Sequence, residues 1–204
     1  MQVNGPRKLP RQARSQATVE VLLDATAILL TAEGFAAATT TRVAEKAGVS
    51  IGSLYQYFPN REALVRALAR RRDSAAQRAV QLVLEDTRGA RLETVLMRSL
   101  KAMLAFHGSD LPLHRVLVQE APRLGPMDWV TGADAHRYTV TRRMLGHHRA
   151  ELRPGIDPDV AAFLVPDMIG AAIAATVVAR PSAFASGALE RELTDMLRSY
   201  MVAQ

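Results

Sequence analysis

The sequence predicts an all-α fold: an N-terminal three-helix domain built on a helix-turn-helix, followed by a larger helical domain, about nine helices in total. Three observations carry this reading. Apolar residues recur three and four apart through most of the 204 residues, which is the spacing of one face of an α-helix. No segment sustains the period-two alternation of a half-buried strand. Gly, Pro, Asn, Asp, Ser and Thr fall where such helices would start and stop.

Length suits a small domain plus a larger one, with enough chain to bury a core unaided. Cysteine is absent, which excludes a disulfide framework and thiolate metal sites and agrees with a reducing compartment. Residues 1–16 show no apolar signal region. No uninterrupted run reaches the roughly 18 apolar residues of a membrane span; the nearest, Ala161 to Ala179, is broken by Pro166, Asp167 and Thr176. The expectation is a cytoplasmic protein without a membrane partner. Charge is distributed unevenly: residues 1–72 hold 11 Lys+Arg against 5 Asp+Glu, while residues 73–204 hold 15 of each. All of the net +6 therefore lies in the first third, the footprint of a module that meets nucleic acid. A basic solvated face is the plainer alternative.

Residues 1–13 read as a flexible basic arm, with Gly5, Pro6 and Pro10 among Arg7, Lys8 and Arg11. Such an arm can follow phosphates or enter a minor groove; it can equally be a terminus that only adds charge. From about Arg14 to Glu33, Ala17, Val21, Leu22, Ala25, Ile28, Leu29 and Ala32 form one apolar stripe. Gly34 ends this helix, and Phe35 is expected to fold back into the core. The threonines 39–41 offer an N-cap, Thr39 foremost. Val43, Ala44 and Ala47 give one face over two turns, and Gly48 stops them in a left-handed conformation. Ser50 caps a second short helix with Leu54 and Phe58 inside. Pro59 stops that helix and Asn60 caps the next. Two short helices joined by a tight turn are the pattern of a helix-turn-helix, whose second helix enters a major groove.

The helix opened by Asn60-Arg61-Glu62 runs to about Leu84 and carries Arg70, Arg71 and Arg72, a solvated or interdomain face that could also touch phosphates. Helical patterns follow at about 90–107, 111–121 and 127–151. Asp157-Pro158-Asp159 then starts a nearly all-apolar helix, with Asp157 as cap and Pro158 at the first position. Pro166 should kink or split it. A last helix at about 188–202 puts Leu189, Leu193, Met196, Leu197 and Tyr200 on one side.

Gly34-Phe35, Thr39-Thr40, Val43-Ala44, Ala47-Gly48-Val49-Ser50, Gly52-Ser53-Leu54-Tyr55, Tyr57-Phe58 and Arg61-Glu62-Ala63-Leu64 together resemble the DNA-binding domain of the TetR family of transcriptional regulators. The resemblance covers about residues 14–66, leaving 67–204 as a helical ligand-binding and dimerisation domain. Tyr57 and Arg61 match family positions that contact phosphate, and a phenol and a guanidinium on successive helices can grip one backbone. Tyr55 matches a position that mixes packing with DNA contact. Base readout would fall to Ile51, Gly52, Ser53 and Gln56 with Thr41, and Ser50, Thr39 and Thr40 lie at helix N-termini suited to phosphate. Ala38 stands where Thr is frequent. Arg42 stands where an acidic residue often completes a capping box, which adds a positive group near DNA.

The resemblance also implies a homodimer through the segments Asp157–Ala179 and Ala188–Val202, reading a pseudo-palindromic double-stranded operator. It further implies a small-molecule effector. Candidate pocket residues are Met103, Phe106, His107, His114, Met127, Trp129, Tyr138, Phe163, Asp167 and Met168; each also reads as ordinary core packing, and Asp167 as half of an ion pair. No cofactor, metal site or enzymatic activity is expected. The histidines 107, 114, 136, 147 and 148 lack the spacing of a helical zinc motif, and no phosphate loop is present. The function so read is a ligand-responsive repressor. A small-molecule binding protein with a non-functional DNA module, or a lyase or hydrolase in residues 73–204, are the alternatives.

Overall fold

The computed structural model describes residues 13–124 and 135–203. The expected basic arm up to Gln12, together with Met127 and Trp129, lies outside them. The described residues form α-helices linked by short turns, and the chain divides into two units: Met1–Asp73 with Pro112–Met127, and Ser74–Leu111 with Asp128–Gln204. The sequence reading ended the first domain at residue 66 and left 112–127 in the second.

In the first unit, α1 (Ala13–Glu33) packs on α2 (Thr40–Ala47), and α2 packs on α3 (Ile51–Tyr57). The start of α4 (Arg61–Asp86) completes the small core. Leu22, Leu30, Val43, Leu54, Phe58, Leu64 and Leu68 are almost wholly shielded. Thr26 is the buried polar residue among them, and its hydroxyl donates to the Leu22 carbonyl at 2.7 Å, so no donor is stranded. The stripe expected on α1 is rotated from the one observed. Val21 and Ile28 are 43% and 51% exposed, and Ala17 and Ala32 are exposed too. Leu23, Thr26 and Leu30 point inward instead. In a helix apolar over so wide an arc, periodicity does not fix which edge meets the core. The same unit contains most of α6 (Leu111–Glu120), where Leu113, Leu117 and the following Leu124 are buried. Arg66 donates from Nη1 to the Leu124 carbonyl at 2.7 Å, fixing this segment to α4.

In the second unit, α5 (Leu92–Gly108) packs against α10 (Ala188–Met201), and α7 (Ala135–His147) against α8 (Pro158–Ala179). The short α9 (Pro181–Ala185), which periodicity did not foresee, packs on α8 and α10. Leu92, Leu96, Leu100, Leu145, Ile169, Ile173, Leu193, Leu197 and Met201 build the core. Asp157 caps α8 as expected, accepting from Asp159 N–H at 2.8 Å and Val160 N–H at 3.3 Å. Pro166 lies within α8 without splitting it. Glu151 accepts the Leu92 N–H at 2.9 Å and meets His148 Nδ1 at 2.8 Å. The backbone beside it pairs with the chain end: Arg153 N–H donates to Met201 at 2.9 Å, and Ala203 N–H to Glu151 at 3.0 Å.

By length and composition, Ser15–Glu33 and Pro158–Ala179 are apolar enough to cross a membrane, with mean hydropathies of 1.2 and 1.9. The expectation counted uninterrupted runs, whereas an average tolerates isolated polar residues. Each helix nevertheless gives one face to a helical core.

Candidate nucleic-acid interface and pocket residues

The turn between α2 and α3 forms as the sequence demands. Thr39 is extended at φ −69°, ψ 155°, and its hydroxyl accepts from Arg42 N–H at 3.4 Å. Gly48 ends α2 at φ 68°, a left-handed conformation that costs a residue with a Cβ. Ser50 caps α3, its hydroxyl accepting from Ser53 N–H at 3.1 Å and lying 2.8 Å from Ser53 Oγ.

Burial then sorts the faces of α3. Leu54 and Phe58 are 0% and 1% exposed, and hold the helix down. Ile51 and Tyr55, four apart, are 40% and 44% exposed; Gly52 and Gln56, the next pair four apart, are exposed as well. These two rows form the outward surface. Ser53 and Tyr57 are half-buried at its edges, while Thr41 is exposed on α2. Thr40 Oγ1 lies 3.1 Å from Tyr55 Oη, a bond that joins α2 to α3 and leaves each hydroxyl capacity for another partner.

The two arginines are less free than the sequence suggests. Arg42 forks onto Glu33, Nη1 at 2.8 Å and Nη2 at 2.6 Å from its two oxygens, and Nη1 also donates to the Ala37 carbonyl at 3.3 Å. The hydrogen bonds from Arg42 hold the Glu33 carboxyl below its usual range. Arg42 thus carries its charge in a pair that fastens α2 to the end of α1, in place of the missing capping box. The Arg61 guanidinium carbon sits over the Phe35 ring, 4.1 Å from its centroid, and Nη1 donates to the Phe35 carbonyl at 3.3 Å. Phe35 is only half-buried, with the guanidinium over its ring. Glu33 and Phe35 are the partners of Arg42 and Arg61 that the motif reading did not pair with them. Their roles depend on partners 9 and 26 residues away.

The described pocket candidates occupy several different environments. Met103, Phe106 and His107 are half-buried on α5, and Met103 packs on the second core with Tyr138. His114 belongs to the first unit. Burial, and then the charge of Arg72, pushes its imidazole down to about 4. Asp167 pairs with Arg137 at 2.7 Å, the structural role that was its alternative reading. Phe163 and Met168 are 53% and 46% exposed. Their place is an outer stripe of α8 rather than an interior, because a helix apolar all round does not declare which face is covered by its own chain. A groove of about 970 Å³ does exist in the second unit, and among the described candidates Tyr138 lines it. Among the described residues, no group of three or more His, Asp or Glu could hold a metal.

A capped helix-turn-helix presenting polar and apolar side chains outward, on the basic part of the chain, defines a DNA-binding regulator of transcription. The family model for bacterial regulatory proteins of the tetR family matches residues 22–68, and that for the tetracyclin repressor-like C-terminal domain matches 91–201. The chain belongs to the TetR family. It is 26% identical over 159 residues to the A-factor receptor protein of Streptomyces griseus, covering 77% of this chain and 54% of that protein; it therefore spans about half the length of that curated relative. The structure of SmeT, repressor of the Stenotrophomonas maltophilia multidrug efflux pump SmeDEF, superimposes with a TM-score of 0.67 at 21% identity over 93% of each chain. The SmeT–triclosan complex does so at 0.61 and 20% identity, again over 93% of each. Both likenesses are ones of fold.

Proposed function

We propose that this TetR-family regulator is a cytoplasmic, non-enzymatic, homodimeric repressor that a small-molecule effector releases from a pseudo-palindromic DNA operator. The observation that carries the reading is the division of α3 into a face locked by Leu54 and Phe58 and a face that offers Ile51, Gly52, Tyr55 and Gln56 to solvent. Thr41 and Ser53 extend this surface for base contact. Thr39, Thr40, Ser50, Tyr57 and Arg61 flank it for phosphate, and Arg42 braces it. Residues 14–66 form the DNA-binding domain, and 67–204 the effector and dimer domain.

Val160, Phe163, Leu164 and Met168 make one apolar row on α8, 49%, 53%, 38% and 46% exposed, and Met196 on α10 is 36% exposed. Covering such a row with its copy removes apolar surface from water, a gain of roughly 25 cal/mol per Å² before the entropic cost of association is met, and sets two reading heads about a two-fold axis. That SmeT has been solved with triclosan supports a small organic effector for this chain. The effector acts by favouring one of two head spacings, and weakens DNA binding in proportion to its differential affinity for the two.

Selection of bound duplexes from a random DNA library tests the reading. A recovered consensus with two inverted half-sites supports it. Recovery of no consensus, or of a single unrepeated half-site, would contradict it.

A further inference from the structure

We propose that the groove between α7 and the Gly155–Asp159 link is a binding site for a small organic anion, a carboxylate or a phosphate ester, held by Arg143 and Arg149. Tyr138, Thr139, Arg142, Arg143, Gly146 and His147 line one wall of it. Their spacing of one, four, five, eight and nine residues along the helix is that of a single face.

The charges in the groove resolve one by one. Arg142 donates from Nε to Asp159 at 2.5 Å, so that these two neutralise each other. Asp157 already accepts two backbone N–H groups at the start of α8. Asp157 keeps its negative charge, so the lining holds three arginines, Arg142, Arg143 and Arg149, against Asp157 and Asp159, an excess of one positive charge. Arg143 and Arg149 are exposed and make no side-chain ion pair with another described residue. Two guanidiniums beside one groove suit two acidic oxygens, because each fork can donate in parallel to a carboxylate or phosphate. The floor is open as well, since a Cβ built at Gly146 meets nothing within 4 Å. The volume, about 970 Å³, admits a metabolite-sized molecule.

The lining residues belong to the second unit and the helix-turn-helix to the first, and the test reads ligand binding without DNA. The full-length protein would be titrated with inorganic phosphate, with glucose 6-phosphate and with citrate. Amide NMR shifts would be followed at a constant ionic strength set by chloride. Saturable shifts at Gly146, Gly155 and Ile156 with at least one probe are expected; the three probes distinguish phosphate from carboxylate recognition. Arg143→Gln with Arg149→Gln should weaken the binding about tenfold or more. Gly146→Phe should abolish it by filling the groove, with all charges kept and the thermal midpoint checked for folding. Absence of saturable shifts, shifts reproduced by chloride alone, or equal affinity in the charge-removed variant would each overturn the proposal. The same shifts produced by a short DNA duplex would overturn it also, because the guanidiniums would then be serving nucleic acid.

Discussion

The Arg61 guanidinium lies 4.1 Å from the centroid of the Phe35 ring and hydrogen-bonds the Phe35 carbonyl at 3.3 Å. A cation stacked in this way has lost part of its rotamer freedom before any phosphate arrives. Arg61→Ala is expected to weaken operator binding about tenfold, the value of a hydrogen bond to a charged group. Phe35→Leu should weaken it several-fold in the wild-type background and hardly at all beside Arg61→Ala. Fluorescence anisotropy on the four proteins of this cycle gives the coupling. An equal cost of Phe35→Leu in both backgrounds would reduce the ring to a packing element.

Gly48 stands at φ 68°, and a Cβ there would meet no atom within 4 Å. Gly48→Ala therefore isolates backbone strain from crowding. It should destabilise the protein by about 1 kcal/mol or somewhat more, and Gly48→Asn should do less harm, since Asn tolerates the left-handed region. Urea unfolding measures both. Equal stability of the Ala variant and the wild type would mean that the turn relaxes.

The dimer proposal rests on Phe163, the most exposed residue of the α8 row. Phe163→Glu places a charge on each side of the two-fold axis and should convert the dimer to monomer in sedimentation velocity. Operator affinity should fall with it, since one head alone loses the linked second contact. A Phe163→Glu protein that stays dimeric would place the interface elsewhere.

His114 is pushed down to about 4, first by burial and then by Arg72. In the unfolded chain it titrates near 6.5. Between these values the unfolded state binds the extra proton, so stability is complete above about 6.5 and declines as pH falls towards 4. The share due to His114 is on the order of 3 kcal/mol across that window. His114→Gln should flatten the pH dependence of the unfolding free energy there. An unchanged slope would assign the acid sensitivity to other groups.

Glu151 lies below the usual carboxylate range, held by His148 and then by the Leu92 N–H. A lowered carboxylate contributes stability that is present above its unfolded value and lost as pH falls through the folded one. Glu151→Gln should lower the thermal midpoint at pH 7 and narrow its gap to wild type below about pH 4. A gap that stays constant with pH would show that the charge of Glu151 is irrelevant to its bonds.

Much of the helix-turn-helix was legible because its determinants are local. The Thr39 and Ser50 caps, the Gly48 stop and the inward Leu54 and Phe58 each follow from neighbours within four residues. What sequence could not supply were contacts across longer separations. Arg42 looked like a free cation until Glu33 was seen beside it. Phe35 reads as core in the sequence, yet it is half-buried and carries the Arg61 guanidinium over its ring. On α1 and α8 the apolar residues are too many for periodicity to choose an edge, so Val21 and Ile28 were expected inside and Phe163 and Met168 in a pocket. The α6 segment, tied by Arg66 to Leu124, carries no local sign of the unit it joins.

The central claim is specific recognition of DNA, and the most direct measurement is fluorescence anisotropy of the protein on its own upstream DNA. A salt series and an excess of unrelated duplex would accompany it. The account predicts tight binding that survives the competitor, at two chains or a multiple per site, weakened several-fold by Tyr57→Phe. It also predicts a linear fall of log affinity with log salt. Weak binding that the competitor removes, with Tyr57→Phe indistinguishable from wild type, would contradict it and leave only attraction between a basic unit and any polyanion.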